Sequence, residues 1–255
     1  MCAICKKLLI FSCIKWKKAV KDTILYKRQI PFCEKGVKSQ ENKQMYIGRI
    51  VAVGMTKDNR VCAMYRVSSR SFPNRQAVEN NGKVAIVPRP GAEGDLAKNP
   101  YISYNCLRIA GEWAIATNGS QTDPITEKIA MGMPVRDAIT LGLLAMDYEK
   151  DSLDTPRIVA VAGRESKKGY LGIIRKDAVL VREFTLEPGV ARYISTYEKN
   201  APCCDNVDNA FDAMCAECAA QYVVDGGVFA DFEQPVTSAA AVEEADGFKL
   251  ATVIC

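Results

Sequence analysis

The chain has 255 residues, 48% hydrophobic and 25% charged, with a net charge of +4. That length and balance suffice for a packed core and set disorder aside, and no apolar run reaches the roughly 20 residues that a membrane-spanning helix requires. Histidine is absent, so the commonest general base and metal ligand is missing and proton transfer falls to carboxylates, Tyr, Lys, Cys or water.

Residues 1–44 carry 11 Lys and Arg against 3 Asp and Glu, whereas the remainder holds 23 against 27. The basic pI therefore belongs to the first segment, and the mildly acidic body gives no ground for nucleic-acid binding. Within the segment, the apolar run Leu8 to Ile14 lies between lysine clusters; it is too short to span, and the following Lys-Trp-Lys-Lys offers no small-residue cleavage site. A basic amphipathic segment lying on an anionic surface is one reading. A native start at Met45, preceded by a read-through extension ending in the polar "KSQENKQ", is preferred. The cysteines number 11, and without a secretory signal they read as reduced thiols in a cytoplasm.

From Met45 the pattern changes to short β-rich runs. "YIGRIVAVG" and "VCAMYRV", separated by the polar "MTKDNR", predict an antiparallel hairpin. "KVAIVP" (83–88), "YISYNCLRIAG" (101–111) and "EWAIATNG" (112–119) continue the strands. Asp123 followed by Pro124 predicts a capped helix start, and "VRDAITLGLLAMDYE" (135–149) has helical spacing. Strands return at 157–163, 169–175, 178–186 and 191–198. A long helix is expected from about Asn206 to Val224, a short one near Ser238 to Ala245, and a closing strand in "FKLATVIC". Runs of strands alternating with runs of helices predict an α+β fold of antiparallel sheets covered by helices, not a doubly wound nucleotide fold.

The densest cluster of anion-seeking groups is "MYRVSSRSFPNR", Met64 to Arg75. Extended geometry places Arg66, Ser68 and Arg70 on one face and Val67, Ser69 and Ser71 on the other, with Arg75 beyond the turn as a third clamp. A solvated strand edge is the alternative. "TNGSQTDP" (117–124) turns at Asn118-Gly119 into a helix, where free N–H groups and hydroxyls could receive an anion or amide, although such turns are also ordinary punctuation. In "MDYEKDSLDTPR" (146–157), Asp147, Glu149, Asp151 and Asp154 crowd a helix end that disfavours negative charge. Either one of them is held there with a raised pKa for acid–base work, or they form a solvated corner paired to Lys150 or Arg157. "NPYISYN" (99–105) puts Tyr101, Ser103 and Asn105 on one face and Ile102 and Tyr104 on the other. Cys203, Cys204, Cys215 and Cys218 lack the paired knuckles of a structural zinc site, and "AMCAECAA" reads better as small residues packing a helix.

The segments "MYIGRIVAVG", "YRVSSRSFPNR", "NPYISYN", "TNGSQTD" and "DYEKDSLDTPRI", in this order, resemble the archaeal-type IMP cyclohydrolase family. The likeness begins at Met45, is distinctive through about Gly163 and continues more loosely to Cys255, so 45–255 is the expected catalytic domain. The resemblance implies closure of 5-formamidoimidazole-4-carboxamide ribonucleotide (FAICAR) to inosine monophosphate, the last step of de novo purine synthesis. It also implies a four-layer α, β, β, α sandwich similar to the N-terminal nucleophile hydrolases. It is not thought to involve their processed nucleophile, and Met45-Tyr46 supplies no Cys, Ser or Thr. The substrate would be a small purine nucleotide, with no nucleic-acid or membrane partner expected; a homo-oligomer is plausible. The chemistry demands no metal and no external cofactor. On residue type, Arg66 and Arg70 would serve the 5'-phosphate or the developing oxyanion, Tyr104 and Glu149 would exchange protons, and Asn118 would orient the carboxamide. Ser68, Ser69, Arg75, Asn105 and Thr122 would complete the substrate contacts. Two other readings stand beside this one: an amidohydrolase of the related fold with Cys62 as nucleophile, and a non-catalytic nucleotide- or RNA-binding module.

Overall fold

The expected hairpin forms as β1 (Ile50–Met55) and β2 (Val61–Ser68), closed by a turn in which Asn59 takes a left-handed φ of 66°. Every residue of both strands is buried, as for strands covered on both faces, so apolar and polar side chains need not alternate. The computed structural model describes residues 46–255. The basic segment 1–44 and the expected start at Met45 lie outside the described residues.

The remaining strands are β3 (Arg75–Asn80), β4 (Lys83–Pro88), β5 (Tyr104–Ala110), β6 (Trp113–Thr117), β7 (Arg157–Gly163), β8 (Lys168–Arg175), β9 (Ala178–Thr185), β10 (Val190–Ser195), β11 (Val207–Asp208), β12 (Pro235–Glu244) and β13 (Gly247–Ile254). They form a 6-stranded sheet ordered β11-β10-β1-β2-β12-β13 and a 7-stranded sheet ordered β3-β4-β5-β6-β7-β8-β9. The named strands pair antiparallel throughout. Val51, Val53 and Tyr65 of the first sheet meet Ala116, Ile158 and Ala160 of the second in one apolar core. The helices α1 (Thr122–Ala130) and α2 (Val135–Met146) bury Ile125, Ile139 and Leu143 on the outer face of the 7-stranded sheet. The helix α3 (Ala216–Asp225) buries Ala219, Ala220 and Val223 on the outer face of the other. The α+β expectation of antiparallel sheets covered by helices therefore holds. No helix among the described residues is long and apolar enough to cross a membrane.

Several local expectations change. Ser238 to Ala245 lies mostly in β12, not in a helix: its alanines favour helix locally, but the strand pairs with β2 on one side and β13 on the other. Two ladders outweigh a propensity difference of about 0.7 kcal/mol or less per residue. The helix expected from Asn206 begins at Ala216, because the preceding segment supplies β11 and because the Asp208 carboxylate accepts hydrogen bonds from Tyr222 Oη at 2.9 Å and Ala210 N at 2.8 Å. The helix expected to reach residue 149 ends at Met146, where Asp147 turns to a φ of 52°. Pro100–Ile102 is a 3-10 turn, so the strand expected from 101 starts at Tyr104, and β3 was not anticipated. Asp123 sits inside α1, not at its cap, and binds Asn105 and Arg108.

Arg66 ties the first sheet to α3 and the 3-10 turn that follows it. Its side chain is fully buried, with Nε donating to Ser68 Oγ at 3.0 Å and the terminal nitrogens donating to the carbonyls of Val223, Val224, Phe229, Phe232 and Glu233 at 2.6–3.4 Å. Burial pulls its pKa down to about 10, which leaves it charged at neutral pH. The carbonyls at the end of a helix have no intrahelical partner, and the guanidinium supplies donors that water cannot deliver there. Arg66→Met should therefore cost more than about 3 kcal/mol and lower Tm by at least about 6 °C. Arg70→Met should change stability by about 1 kcal/mol or less, since its Glu233 pair is half exposed. Thermal melts of the two variants check this contrast.

Candidate active site

Five chain segments meet around a cavity of about 130 Å³: the approach to β1, the loop after β2, the Asn99–Ile102 turn, the loop after α2 and Tyr197 after β10. Glu149 lines it. The chain reverses after α2 because Asp147 adopts the left-handed conformation and because Asp151 accepts hydrogen bonds from Leu153 N at 3.1 Å and Thr155 N at 2.9 Å. Glu149 N then donates to Thr155 O at 2.8 Å, and the side chain turns inward until it is 1% exposed.

Two guanidiniums flank that carboxylate. Arg49 Nη2 donates to Glu149 Oε2 at 2.7 Å, and Arg157 Nη1 stands 3.8 Å from Oε1. Arg157 is held in turn by Asp147 O at 2.7 Å and Gln121 Oε1 at 3.0 Å; the Gln121 amide donates to Asn118 Oδ1 at 2.8 Å. A Cβ on Gly119 would come within 2.4 Å of Arg157 Nη1 and 2.6 Å of Gln121 Oε1, so the glycine leaves the room this array needs. Burial raises the Glu149 pKa, while Arg49 and Arg157 oppose the rise. Among the described residues, Glu149 Oε1 and Arg49 Nε are the buried side-chain nitrogen or oxygen atoms without a hydrogen-bond partner, and both belong to residues that line this cavity. An unmade hydrogen bond costs about 1–3 kcal/mol in a buried setting, so a ligand that completes these two atoms gains that free energy.

The opposite wall is cationic and hydroxylic. Arg75, Ser69 and Ser71 line the cavity; among the described residues the Arg75 guanidinium makes one hydrogen bond, from Nε to Phe72 O at 3.0 Å. Its two terminal nitrogens make no hydrogen bond among the described residues. Tyr46 and Tyr197 stack at 5.9 Å between centroids beside it, and Arg70 lies over the Tyr46 ring at 4.1 Å. At the edge of the inter-sheet core the hydroxyls of Tyr65 and Tyr104 share a 2.6 Å hydrogen bond. Burial raises both phenol pKa values against the lowering influence of Arg49 and Arg75, so both remain neutral at pH 7.

The residues expected from sequence divide accordingly. Glu149, Ser69 and Arg75 line the cavity, Arg70 stands at its rim through Tyr46, and Tyr104 lies behind it. Arg66 and Ser68 are corrected: they face α3 and bind main chain and each other, with no donor left for a phosphate. Asn118 is also corrected, as its amide braces the Pro156 carbonyl at 2.9 Å and the Ile158 amide at 2.8 Å. Asn105 binds Asp123, and the Thr122 hydroxyl is buried against Thr117 and Gly119, so neither reaches the cavity. Cys62 is fully buried within β2 with its thiol pushed up to about 12, which removes it as a nucleophile. Sequence reasoning overlooked Arg49, Tyr46, Gln121 and Tyr197. A lone arginine at the head of the apolar "RIVAVG" was the available signal for the first.

A family model described as IMP cyclohydrolase-like protein matches residues 46–247. A protein of Methanosphaera stadtmanae named IMP cyclohydrolase is 49% identical over 197 residues, covering 77% of this chain and 94% of its own. Proteins of the same name from Methanocella arvoryzae and Halobacterium salinarum are 50% and 47% identical, over 81% and 82% of this chain and 96% and 98% of theirs. With a family match across nearly all of the described residues and relatives 47–50% identical over most of their own length, the chain belongs to the IMP cyclohydrolase-like protein family.

Proposed function

We propose that this chain is an IMP cyclohydrolase, closing FAICAR to inosine monophosphate with loss of water at the Glu149 cavity. The observation that carries the catalytic assignment is the buried carboxylate with one oxygen unpartnered between two guanidiniums. Ring closure requires the carboxamide nitrogen to reach the formyl carbon, a group to take the nitrogen's proton, and donors for the formyl oxygen as it gains charge. Glu149 Oε1 is the base. Burial raises its pKa, which makes it a stronger base than an exposed carboxylate, and the adjacent Arg49 and Arg157 favour its ionised form. Arg49 stabilises the formyl oxygen as the C–N bond forms; the oxygen takes up the proton held by Glu149, and as the former formamide nitrogen releases its N–H proton the C–O bond breaks, a C=N bond forms and water leaves. Arg75 with Ser69 and Ser71 binds the 5'-phosphate, and Arg70 closes the rim over Tyr46.

The sheets with helices on their outer faces are consistent with the four-layer α, β, β, α sandwich of N-terminal nucleophile hydrolases, with the nucleophile's role replaced by a side-chain carboxylate. Residues 45–255 form the catalytic domain, and 1–44 are dispensable; the break in charge and the start of the family match support this boundary.

The full chain and a chain starting at Met45 should both convert FAICAR to inosine monophosphate well above a no-enzyme control; a folded protein that binds the nucleotide without converting it would make this a binding module. Glu149→Gln should reduce kcat by about 100-fold to 10,000-fold with little change in KM. The wild-type rate should rise with pH through an apparent pKa above the usual carboxylate value, because the ionised form is the base; the variant's residual rate should lack that limb. Undiminished turnover would remove Glu149 from the mechanism. Arg75→Ala should weaken nucleotide binding by about 10-fold to 100-fold, as loss of a charge-assisted phosphate contact predicts, measured by titration calorimetry.

A further inference from the structure

The "AMCAECAA" run, Ala213 to Ala220, has no part in the cyclisation site. Its alanines behave as expected, with Ala216, Ala219 and Ala220 buried against the first sheet, but its cysteines do not join them: Cys215 is half-buried and Cys218 is exposed. Cys215 stands at the N-cap of α3 in extended conformation, φ −155° and ψ 172°, and its sulfur accepts a hydrogen bond from Cys218 N at 3.1 Å. A Ser or Asp oxygen commonly fills this place; here it is a sulfur. The same geometry brings the second sulfur alongside, with Cys215 Sγ donating to Cys218 Sγ at 2.6 Å. A covalent bond at about 2.05 Å therefore requires only a small side-chain adjustment and no change in the helix.

We propose that Cys215 and Cys218 form a reversible thiol–disulfide site that exchanges with low-molecular-weight disulfides. The first step is attack by one thiolate on the small disulfide, which forms a mixed disulfide and expels one small thiol. The neighbouring thiolate then attacks the protein sulfur of that mixed disulfide, forming the Cys215–Cys218 bond and expelling the second small thiol. Both protein thiols lose a proton and together two electrons; the external disulfide takes up both electrons and both protons.

Three features favour this chemistry over structural or metal-binding roles. The N-terminus of a helix stabilises a thiolate through its free N–H groups and dipole. The contact between the sulfurs lowers the Cys218 pKa and raises that of Cys215, so Cys218 gives up its proton first. Among the described residues no group of three or more Cys, Asp or Glu side chains is placed to hold a metal ion, whereas two sulfurs suffice for a disulfide. The other cysteines of the strands, Cys62 and Cys106, are buried with their thiols pushed up and do not compete.

The test equilibrates the full chain in glutathione buffers from reducing to oxidising, quenches with acid and an alkylating agent, and maps the Asp212–Val224 fragment released by cleavage before aspartates. This fragment contains Cys215 and Cys218 and no other cysteine. At the reducing end it should carry two alkyl groups, and at the oxidising end none, being lighter than the dithiol by two hydrogens. In Cys215→Ser and Cys218→Ser the internal loss of two hydrogens should vanish, with the remaining sulfur carrying an alkyl group or glutathione. A wild-type fragment that stays fully alkylated across the series, or whose cysteines oxidise only by linking to other parts of the chain, would overturn the proposal. Because neither cysteine lines the Glu149 cavity, the outcome is independent of the cyclisation assay.

Discussion

A carboxylate removed from water loses its hydration, and the several kcal/mol this costs are recovered only when cations stand close. Glu149 is such a group, with Arg49 in direct contact and Arg157 nearby. Much of the surrounding architecture answers to that constraint. Arg49 must arrive at the head of β1, Arg157 at the head of β7, and Gln121 and Asn118 from the turn between β6 and α1, so that each polar atom behind the carboxylate is engaged. Gly119 is part of the same requirement, since a side chain there would occupy the place of the Arg157 guanidinium. Within the array one oxygen of Glu149 and the Nε of Arg49 make no hydrogen bond, although both residues line the cavity.

Arginine does two different jobs within ten residues of one strand and its turn. Arg66 is closed in on all sides and supplies hydrogen bonds to the ends of α3 and its following turn. Arg75, equally buried by area, keeps its terminal nitrogens toward the cavity. The difference is what each faces: Arg66, in β2, meets helix carbonyls that need donors, and Arg75, which opens β3 in the other sheet, meets a cavity lined by serines and tyrosines. Burial of an arginine thus says little about its role until its acceptors are known.

Much of the fold was legible in the chain. Short β-rich runs, the polar turn between β1 and β2 and the helical spacing of 135–149 all corresponded to real elements, because each is decided by residues near one another. The errors share one cause. The alanines of 238–241 favour helix by propensity, and the segment became a central strand because two distant strands pair with it. The segment after Asn206 was diverted to an edge strand by β10, which also depends on distant residues. For the site, the two-face alternation of "RVSSR" was correct, but the choice of face was not: Ser69 and Ser71 meet the cavity while Arg66 and Ser68 meet α3.

Taken alone, the sequence determined the class of the fold, the family and the presence of an acidic loop after α2, because composition, periodicity and ordered motifs are properties of the chain itself. The tertiary structure decided which of four acids turns inward and which cations meet it. It also decided that Asn118 and Gln121 support that array from behind and that two cysteines lie sulfur to sulfur at a helix start. Those outcomes depend on where β1, β7 and α1 deliver side chains from residues as many as 100 positions apart, and on which groups are left without water when they meet. Desolvation is a property of the assembled interior, and no single segment carries it.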